Sequence, residues 1–156
     1  MAKNRIIWGG NYFLKYLGET PCMLFWDKGR RGLNFADGEL AWTSFKEPSR
    51  CFNFKWNGML QENMKNKEYR IHPTQKPVAL YEWLLDRYAK QGDIILDTHV
   101  GSASSLIACH NRGFKYVGFE LDKYYYEESK KRLEAEIAQM TIFDFIERTV
   151  ENENSN

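Results

Sequence analysis

Two short strands separated by a helix constrain the fold of this chain more than any other feature. The apolar run Ile94–Leu96 ends on Asp97, and residues 101–111 have a helical composition of small and apolar side chains. The run Tyr116–Phe119 then ends on Glu120. Strand, helix and strand at this spacing predict a βαβ unit with parallel strands, because a parallel connection needs a crossover of about a dozen residues or more.

The acidic strand ends indicate what such a unit binds. A Gly/Ser turn at the start of a helix lets a ligand approach the backbone amides, and a carboxylate at Glu120 can accept hydrogen bonds from both hydroxyls of a ribose. Asp97 would repel a phosphate but suits a positive group, such as the amino group of a methionine moiety. These features favour S-adenosylmethionine over a dinucleotide. In the structural alternative, Asp97 caps the helix and Glu120 is an exposed loop acid.

The rest of the chain alternates aromatic strands in its first half with helices in its second. Apolar runs predict strands at 5–8, 22–26, 39–45 and 51–56, a basic loop at 28–32 and a polar loop at 57–69. Helical spacing is typical of 77–88 and 124–140, with a continuation over 141–150 after a break. No apolar run approaches the roughly 18 residues that span a bilayer, so no membrane association is expected.

Charge is divided unevenly along the sequence. Residues 1–76 hold 13 of the 22 basic side chains and 7 of the 21 acidic ones, although the whole chain has a net charge of +1. That balance excludes wholesale charge attraction to nucleic acid. Four cations near aromatic residues are candidate phosphate contacts, with an ordinary solvated hairpin as the alternative: Lys28, Arg30, Arg31 and Lys55. The three cysteines are widely and irregularly spaced, so no metal is expected and buried reduced thiols are predicted.

Several blocks of sequence resemble a known family. Arg-Ile-His-Pro-Thr-Gln-Lys-Pro-Val-Ala-Leu at 70–80, Leu-Asp-Thr-His-Val-Gly-Ser at 96–102 and Val-Gly-Phe-Glu-Leu-Asp at 117–122 are similar to blocks of the small phage and prophage DNA methyltransferases. The segments 6–13 and 39–45 resemble the same family. Its members are of the permuted, β-class-like type and usually modify adenine N6. The resemblance covers roughly residues 4–135.

The resemblance implies a fold, a cofactor and a set of binding residues. The fold is α/β, a Rossmann-like S-adenosylmethionine-dependent methyltransferase fold, incomplete at the N-terminal side. Thr74 and its neighbours would hold the methionine end of S-adenosylmethionine, and Glu120 would take the ribose. The full set of implied cofactor-binding residues is Thr74, Asp97, Thr98, Gly101, Ser102, Glu120 and Asp122. DNA is the implied partner, in a restriction-modification setting in the cytoplasm of a bacterial host.

The sequence departs from the family at the catalytic loop, which is Asp/Asn/Ser-Pro-Pro-aromatic. The four prolines, Pro21, Pro48, Pro73 and Pro77, are never adjacent. No catalytic residue is therefore identified, and Asn11 with Tyr12 is the nearest substitute, with a pocket wall as its alternative. The family's order places the loop before Trp8. We therefore expect a chain truncated at its N-terminal side, whose missing segment is lost, encoded separately or cut away.

Three functions are compatible with the sequence. The first is an S-adenosylmethionine-dependent DNA adenine-N6 methyltransferase, or its cofactor-binding part, acting on a flipped base. The second is a non-catalytic cofactor- or DNA-binding relative that acts with a partner chain, and the third is a plain interaction domain. Residues 1–150 are predicted to form one domain, with a DNA-facing half (1–69), a cofactor half (70–140) and a disordered tail (151–156). Exposed sheet edge and apolar surface predict a homo-oligomer or a partner chain.

Overall fold

The computed structural model describes residues 2–32, 34–57 and 59–153, with side chains through Gln139. The chain divides into two compact units, residues 1–67 and residues 68–156. This division lies close to the boundary between residues 69 and 70 that the sequence suggests for its two halves. That residues 1–150 form a single domain stays a prediction.

Unit 1, residues 1–67, is built on a four-stranded sheet. Its strands are β1 (Ile6–Trp8), β2 (Met23–Asp27), β3 (Gly38–Thr43) and β4 (Arg50–Asn53), in the order β1-β3-β2-β4. Strand β3 runs antiparallel to both of its neighbours, whereas β2 and β4 are parallel. Alternate residues of β2 are fully buried, Leu24 and Trp26, as expected for a strand whose side chains point to opposite faces.

The glycine pair after β1 brings the next segment close to the sheet. Gly9 has a φ of 73°, and a Cβ on Gly10 would lie 2.5 Å from the Cβ of Trp42. Only glycine fits that approach. A 3-10 turn (Gly10–Phe13) and the short helix α1 (Leu14–Leu17) follow.

Unit 1 differs from the sequence prediction after β4. The strand predicted at 51–56 is interrupted after Asn53. A small hairpin of β5 (Trp56–Asn57) and β6 (Leu60–Gln61) begins at the end of that predicted strand and extends into the segment predicted as a polar loop. The pairing with β2 stops at Asn53, and Trp56 is then buried as the chain turns. Cys51 is exposed, which corrects the prediction of three buried thiols, whereas Cys22 and Cys109 are buried.

Unit 2, residues 68–156, contains the predicted βαβ arrangement. Strand β7 (Ile94–Asp97) pairs in parallel with β8 (Lys115–Gly118), and helix α3 (Ser104–Asn111) connects them. Helix α2 (Val78–Tyr88) begins after Pro77, which suits a first-turn position because it lacks an N–H. A core forms where Leu85, Ala108 and Cys109 pack against apolar side chains that include Ile95 and Tyr116.

The opposite face of this two-stranded sheet exposes apolar side chains. Ile94 and Leu96 of β7 are exposed, as are Val117 of β8 and Phe119 just after it. These four residues, which we call the β7–β8 apolar face, alternate with the side chains that pack under the helices. A strand pair with one covered face and one exposed apolar face presents a surface of the kind that other elements usually cover.

Two helix boundaries in unit 2 correct the sequence predictions. Helix α3 begins at Ser104 rather than Gly101, because Gly101 and Ala103 both have left-handed backbone, with φ of 56° and 63°. Helix α4 runs without a break from Lys123 to Glu153, since residues 141–150 contain no glycine or proline. The predicted tail therefore begins on helical backbone, and residues 154–156 lie outside the described part of the chain. Within the described residues, no helix has the length and apolarity needed to cross a membrane.

Candidate functional site

The carboxyl ends of β7 and β8 lie side by side and place two acids at one edge. Asp97 is paired with Gly118 at the end of the ladder. The amide of Phe119 donates to the carbonyl of Asp97 at 2.9 Å, and the amide of Val100 donates to the carbonyl of Phe119 at 3.0 Å. The loop after β7 is thereby tied to the residues after β8. This is the position where open parallel sheets bind their ligands.

Glu120 bridges the two strand ends through its carboxylate. One oxygen accepts the amide of Gly101 at 2.8 Å, and the other accepts the amide of Asp122 at 3.0 Å. These bonds hold the pKa of Glu120 below its ordinary value, with the Asp122 amide as the largest cause. A carboxylate has about four acceptor positions, so the charged group retains capacity for hydroxyl donors from a ligand.

The lowered pKa of Glu120 predicts how acid affects the fold. A carboxyl whose folded pKa is depressed contributes stability above its ordinary pKa, about 4.5, and loses that contribution as the pH falls through the folded value. The difference in unfolding free energy between wild type and Glu120→Gln is therefore expected to be constant above about pH 5.5 and to shrink below it. Urea denaturation between pH 3 and pH 7 measures this difference. A difference that grows towards acid pH would contradict the assignment.

Asp97 is engaged with its own loop. One carboxylate oxygen accepts the amide of His99 at 2.9 Å, and the other accepts the hydroxyl of Ser105 in the first turn of α3. The contact with Ser105 agrees with the alternative, stated from the sequence, in which Asp97 caps the helix. Asp97 is also half-buried, at the edge where the two strands end.

The segment before α2 meets the loop through a histidine. Nδ1 of His72 accepts the amide of Thr74 at 3.2 Å and lies 3.0 Å from its hydroxyl. The His72 ring packs against Tyr125, with 4.3 Å between ring centroids, and a Cβ on Gly101 would lie 3.5 Å from the same ring. The structure thus brings the His-Pro-Thr segment beside residues 98–103, the loop between β7 and α3, which we call the glycine loop. Thr74 is exposed there.

Three other predicted cofactor residues make hydrogen-bond contacts with neighbouring residues of the chain. The buried hydroxyl of Ser102 lies 3.1 Å from that of Ser104, and Asp122 caps α4 by accepting the amide of Tyr125 at 3.1 Å. Thr98 is exposed, with its hydroxyl 2.9 Å from a ring nitrogen of His99. Their contact with a cofactor stays a prediction.

Sequence reasoning missed Glu68 and Arg132, which form an ion pair at 2.7 Å beside the loop. Their side chains are only 21% and 13% exposed. The many charged residues of the helix around Arg132 predict a solvated position for its side chain. Nothing in the sequence links it to an acid 64 positions away.

The predicted nucleic-acid cations of unit 1 separate into two groups. Lys28 is ion-paired with Glu39 and lies 4.4 Å from the centroid of the Trp26 ring, whereas Arg30 donates to the carbonyl of Trp56 at 2.8 Å. Both side chains therefore hold the loop in place. Arg31 is 79% exposed, although it pairs with Asp27, and Lys55 is exposed.

Arg31 and Lys55 both line one cleft of unit 1. The cleft has a volume of about 610 Å³. Its other polar lining residues include Asp27, Asn53, Gln61 and Glu62. Carboxylates and cations are thus mixed on its walls, so the cleft does not form a uniform phosphate-binding surface.

Asn11 and Tyr12 lie in the 3-10 turn after β1. Asn11 is half-buried and Tyr12 is largely exposed. Any catalytic role for these two residues stays a prediction.

Comparison with known proteins identifies relatives with one activity in common. A family model described as DNA methylase, of the N6/N4 methyltransferase type, matches residues 13–131. The chain is 41% identical over 71 residues to the type II methyltransferase M.HpaI of Haemophilus parainfluenzae, covering 46% of this chain and 23% of the relative. It is 38% identical over 81 residues to M2.DpnII of Streptococcus pneumoniae, covering 52% and 30%. These matches thus span less than a third of each relative's length.

Solved structures give a similar result over more of the chain. The M1.HpyAVI–SAM complex matches with a TM-score of 0.59 and 25% identity, covering 83% of this chain and 74% of that one. The cytosine-N4-specific PvuII DNA methyltransferase matches with a TM-score of 0.56 and 14% identity, covering 77% and 53%. The predicted α/β methyltransferase fold is confirmed by these likenesses. Its incompleteness at the N-terminal side stays a prediction.

Proposed function

This chain belongs to the N6/N4 DNA methylase family, and we propose on that basis that it binds S-adenosylmethionine for methyl transfer to adenine N6 in DNA. The observation that carries the proposal is the Glu120 carboxylate, bonded to the Gly101 amide where two parallel strands end. An acid in that position suits the two hydroxyls of a ribose. The solved relative bound to S-adenosylmethionine supports the same assignment.

The residues at the strand ends fit such a cofactor. Glu120 would accept the ribose hydroxyls, and Asp97 would attract the positive amino group of the methionine moiety. Thr74 and Thr98 are exposed nearby and offer hydroxyls, while Gly101 ties the loop to Glu120 through its amide. S-adenosylmethionine supplies an activated methyl group on a sulfonium, so the protein's part is to position cofactor and base in a desolvated pocket.

We infer that residues outside these 156 complete the reaction. The sequence contains no adjacent prolines, and the Pro-Pro loop orients the target amino group in the family it resembles. A segment of the same polypeptide or of a partner chain would supply that loop to a flipped base. Phage or prophage origin, a permuted motif order, a bacterial cytoplasmic setting and a role in restriction-modification belong to the same proposal.

A partner or a second copy is supported by the β7–β8 apolar face. Exposed aliphatic and aromatic side chains on one sheet face favour association in water. Light scattering at high protein concentration should therefore show species larger than the monomer. A single monomeric species would contradict the proposed association.

A non-catalytic relative is the second candidate, favoured by the absence of adjacent prolines from the sequence. It would retain the cofactor pocket or the DNA surface without methyl transfer. Cofactor binding does not separate the two candidates, but methylation of DNA after addition of a Pro-Pro segment does. Transfer under those conditions favours the enzyme, and its absence with cofactor bound favours the binding protein.

Calorimetric titration with S-adenosylhomocysteine tests the cofactor proposal. We expect saturable binding by wild type and at least about tenfold weaker binding by Asp97→Asn, because a hydrogen bond to a charged group contributes about 1.5–3 kcal/mol. Glu127→Gln is the matched control, since it removes an exposed carboxylate from α4. A folded wild-type chain that gives no binding would overturn the proposal.

DNA contact by unit 1 is tested at the exposed cations. We propose that Arg31 and Lys55 contact phosphates, whereas Lys28 and Arg30 hold the loop. Arg31→Ala and Lys55→Ala are each expected to lower DNA affinity and to reduce the salt slope of binding by about one. Lys123→Ala in α4 is the control, because that side chain is 90% exposed and belongs to the other unit. An unchanged slope in both variants would exclude the contact.

A further inference from the structure

Arg132 joins three segments of unit 2 that lie far apart in sequence. Its guanidinium donates to the carbonyl of Ser102 at 2.7 Å and to the hydroxyl of Ser104 at 2.9 Å. Its other terminal nitrogen donates to a carboxylate oxygen of Glu68 at 2.7 Å. The arginine therefore holds the glycine loop with one nitrogen and the segment before α2 with the other.

The loop contact falls on strained backbone. Ser102 lies between Gly101 and Ala103, and both of these neighbours have left-handed φ angles. Alanine rarely adopts this conformation, which persists only where the surroundings hold it. A bond from Arg132 to the carbonyl between the two left-handed residues is such a restraint. The amides of Gly101 and Ala103 are bonded to Glu120 and to the Val100 carbonyl, so the loop is restrained from both sides.

The Glu68 contact restrains the other half of the proposed site. The second carboxylate oxygen of Glu68 accepts the amide of Val78, the first residue of α2, at 2.9 Å. Gln75 lies between Glu68 and Val78 in sequence and is buried. Its side-chain amide donates to the carbonyl of Tyr69 and accepts the amide of Ile71. His72 and Thr74 lie inside this braced segment. Burial raises the pKa of Glu68 despite its bonds, so removal of Arg132 would leave a buried carboxyl without its counter-charge.

We propose that Arg132 and Glu68 are positioning residues for the cofactor. Together they set the glycine loop and the His72–Thr74 segment at a fixed separation, and this separation determines affinity for S-adenosylmethionine. The inference rests on the proposed function. An ordinary surface ion pair would not do this, because exposed pairs are screened and mobile. This pair is largely buried, and its arginine also bonds a backbone carbonyl.

Calorimetry with S-adenosylhomocysteine tests the effect on binding. Arg132→Met keeps the aliphatic stem and removes all three bonds, and we expect it to weaken binding at least tenfold. Arg132→Lys should restore part of the affinity. Glu68→Gln should weaken binding in the wild type but have a smaller effect alongside Arg132→Met, as coupled residues do. The matched control is Lys131→Met, which removes the neighbouring cation of α4 that pairs with Glu128 on the surface.

Hydrogen exchange in the ligand-free protein separates positioning from general stability. In Arg132→Met, exchange should quicken at the amides of Gly101 and Ala103 and stay unchanged in the β7–β8 ladder. Faster exchange across the whole of unit 2, or wild-type binding by Arg132→Met, would overturn the proposal. If wild type does not bind S-adenosylhomocysteine, the proposed function fails. The exchange pattern would still show whether Arg132 holds the loop.

Discussion

Glu120→Ala should lose at least about 99% of the affinity for S-adenosylhomocysteine. The variant removes the carboxylate that would accept two ribose hydroxyls, and each hydrogen bond to a charged group contributes about 1.5–3 kcal/mol. Since 1.4 kcal/mol corresponds to a factor of ten, two lost bonds exceed a hundredfold. The variant also frees the amide of Gly101, which loosens the loop. Isothermal titration calorimetry at neutral pH measures the change.

Glu120→Gln tests how much of that loss comes from the charge of the carboxylate and how much from its acceptor oxygens. Its amide oxygen can still accept one bond, so we expect an intermediate affinity rather than complete loss. Glu127→Gln serves as the control, because it removes a carboxylate from the exposed surface of α4. Circular dichroism must show that every variant is folded. Wild-type affinity in a folded Glu120→Ala chain would remove the ribose assignment.

Trp26→Ala should destabilise unit 1 by about 3–5 kcal/mol, the usual cost of replacing a buried aromatic residue. Trp26 is completely buried and packs edge-to-face on Trp8, with 6.4 Å between ring centroids. Its indole N–H also donates to the carbonyl of Phe54 at 3.0 Å. Alanine cannot donate this bond, so the carbonyl of Phe54 would lose that donor. Tryptophan fluorescence in urea measures the change, because four of the five tryptophans lie in unit 1.

Tyr16→Ala is the control for this substitution. Tyr16 is an aromatic residue of unit 1 that is 83% exposed, so its removal should change stability by less than about 0.5 kcal/mol. An equal shift of the urea midpoint in both variants would show that tryptophan fluorescence does not report the unfolding of the core. An unchanged midpoint in Trp26→Ala would show that Trp26 is not part of a cooperative core.

The sequence could predict the βαβ unit because its signals are local. An apolar run that ends on Asp97 and another that ends before Glu120 mark two strands, and only a helix fits between them. The start of α3 could not be predicted in the same way. Ala103 is a good helix former, yet its backbone is left-handed and its amide donates to the carbonyl of Val100. The hairpin of β5 and β6, which begins at Trp56, could not be predicted either, since its strands have two residues each.

The candidate site could be predicted where a residue type and its position suffice. Asp97 and Glu120 follow from their places at strand ends and Gly101 from the turn before a helix, and the structure brings them to one edge. Partners distant in sequence could not be predicted, as Glu68 and Arg132 show. The same limit affected the cations of unit 1, because nothing in the sequence indicates that Lys28 pairs with Glu39.

The β7–β8 apolar face has a practical consequence for handling this protein. Ile94, Leu96, Val117 and Phe119 meet water on one side of a strand pair. Sulfate strengthens apolar burial because it is excluded from protein surfaces, and warming from low temperature has a similar effect. Both conditions should bring the chain out of solution, so crystallisation from sulfate will compete with amorphous precipitation. Cold, low-salt buffers are the natural choice for purification.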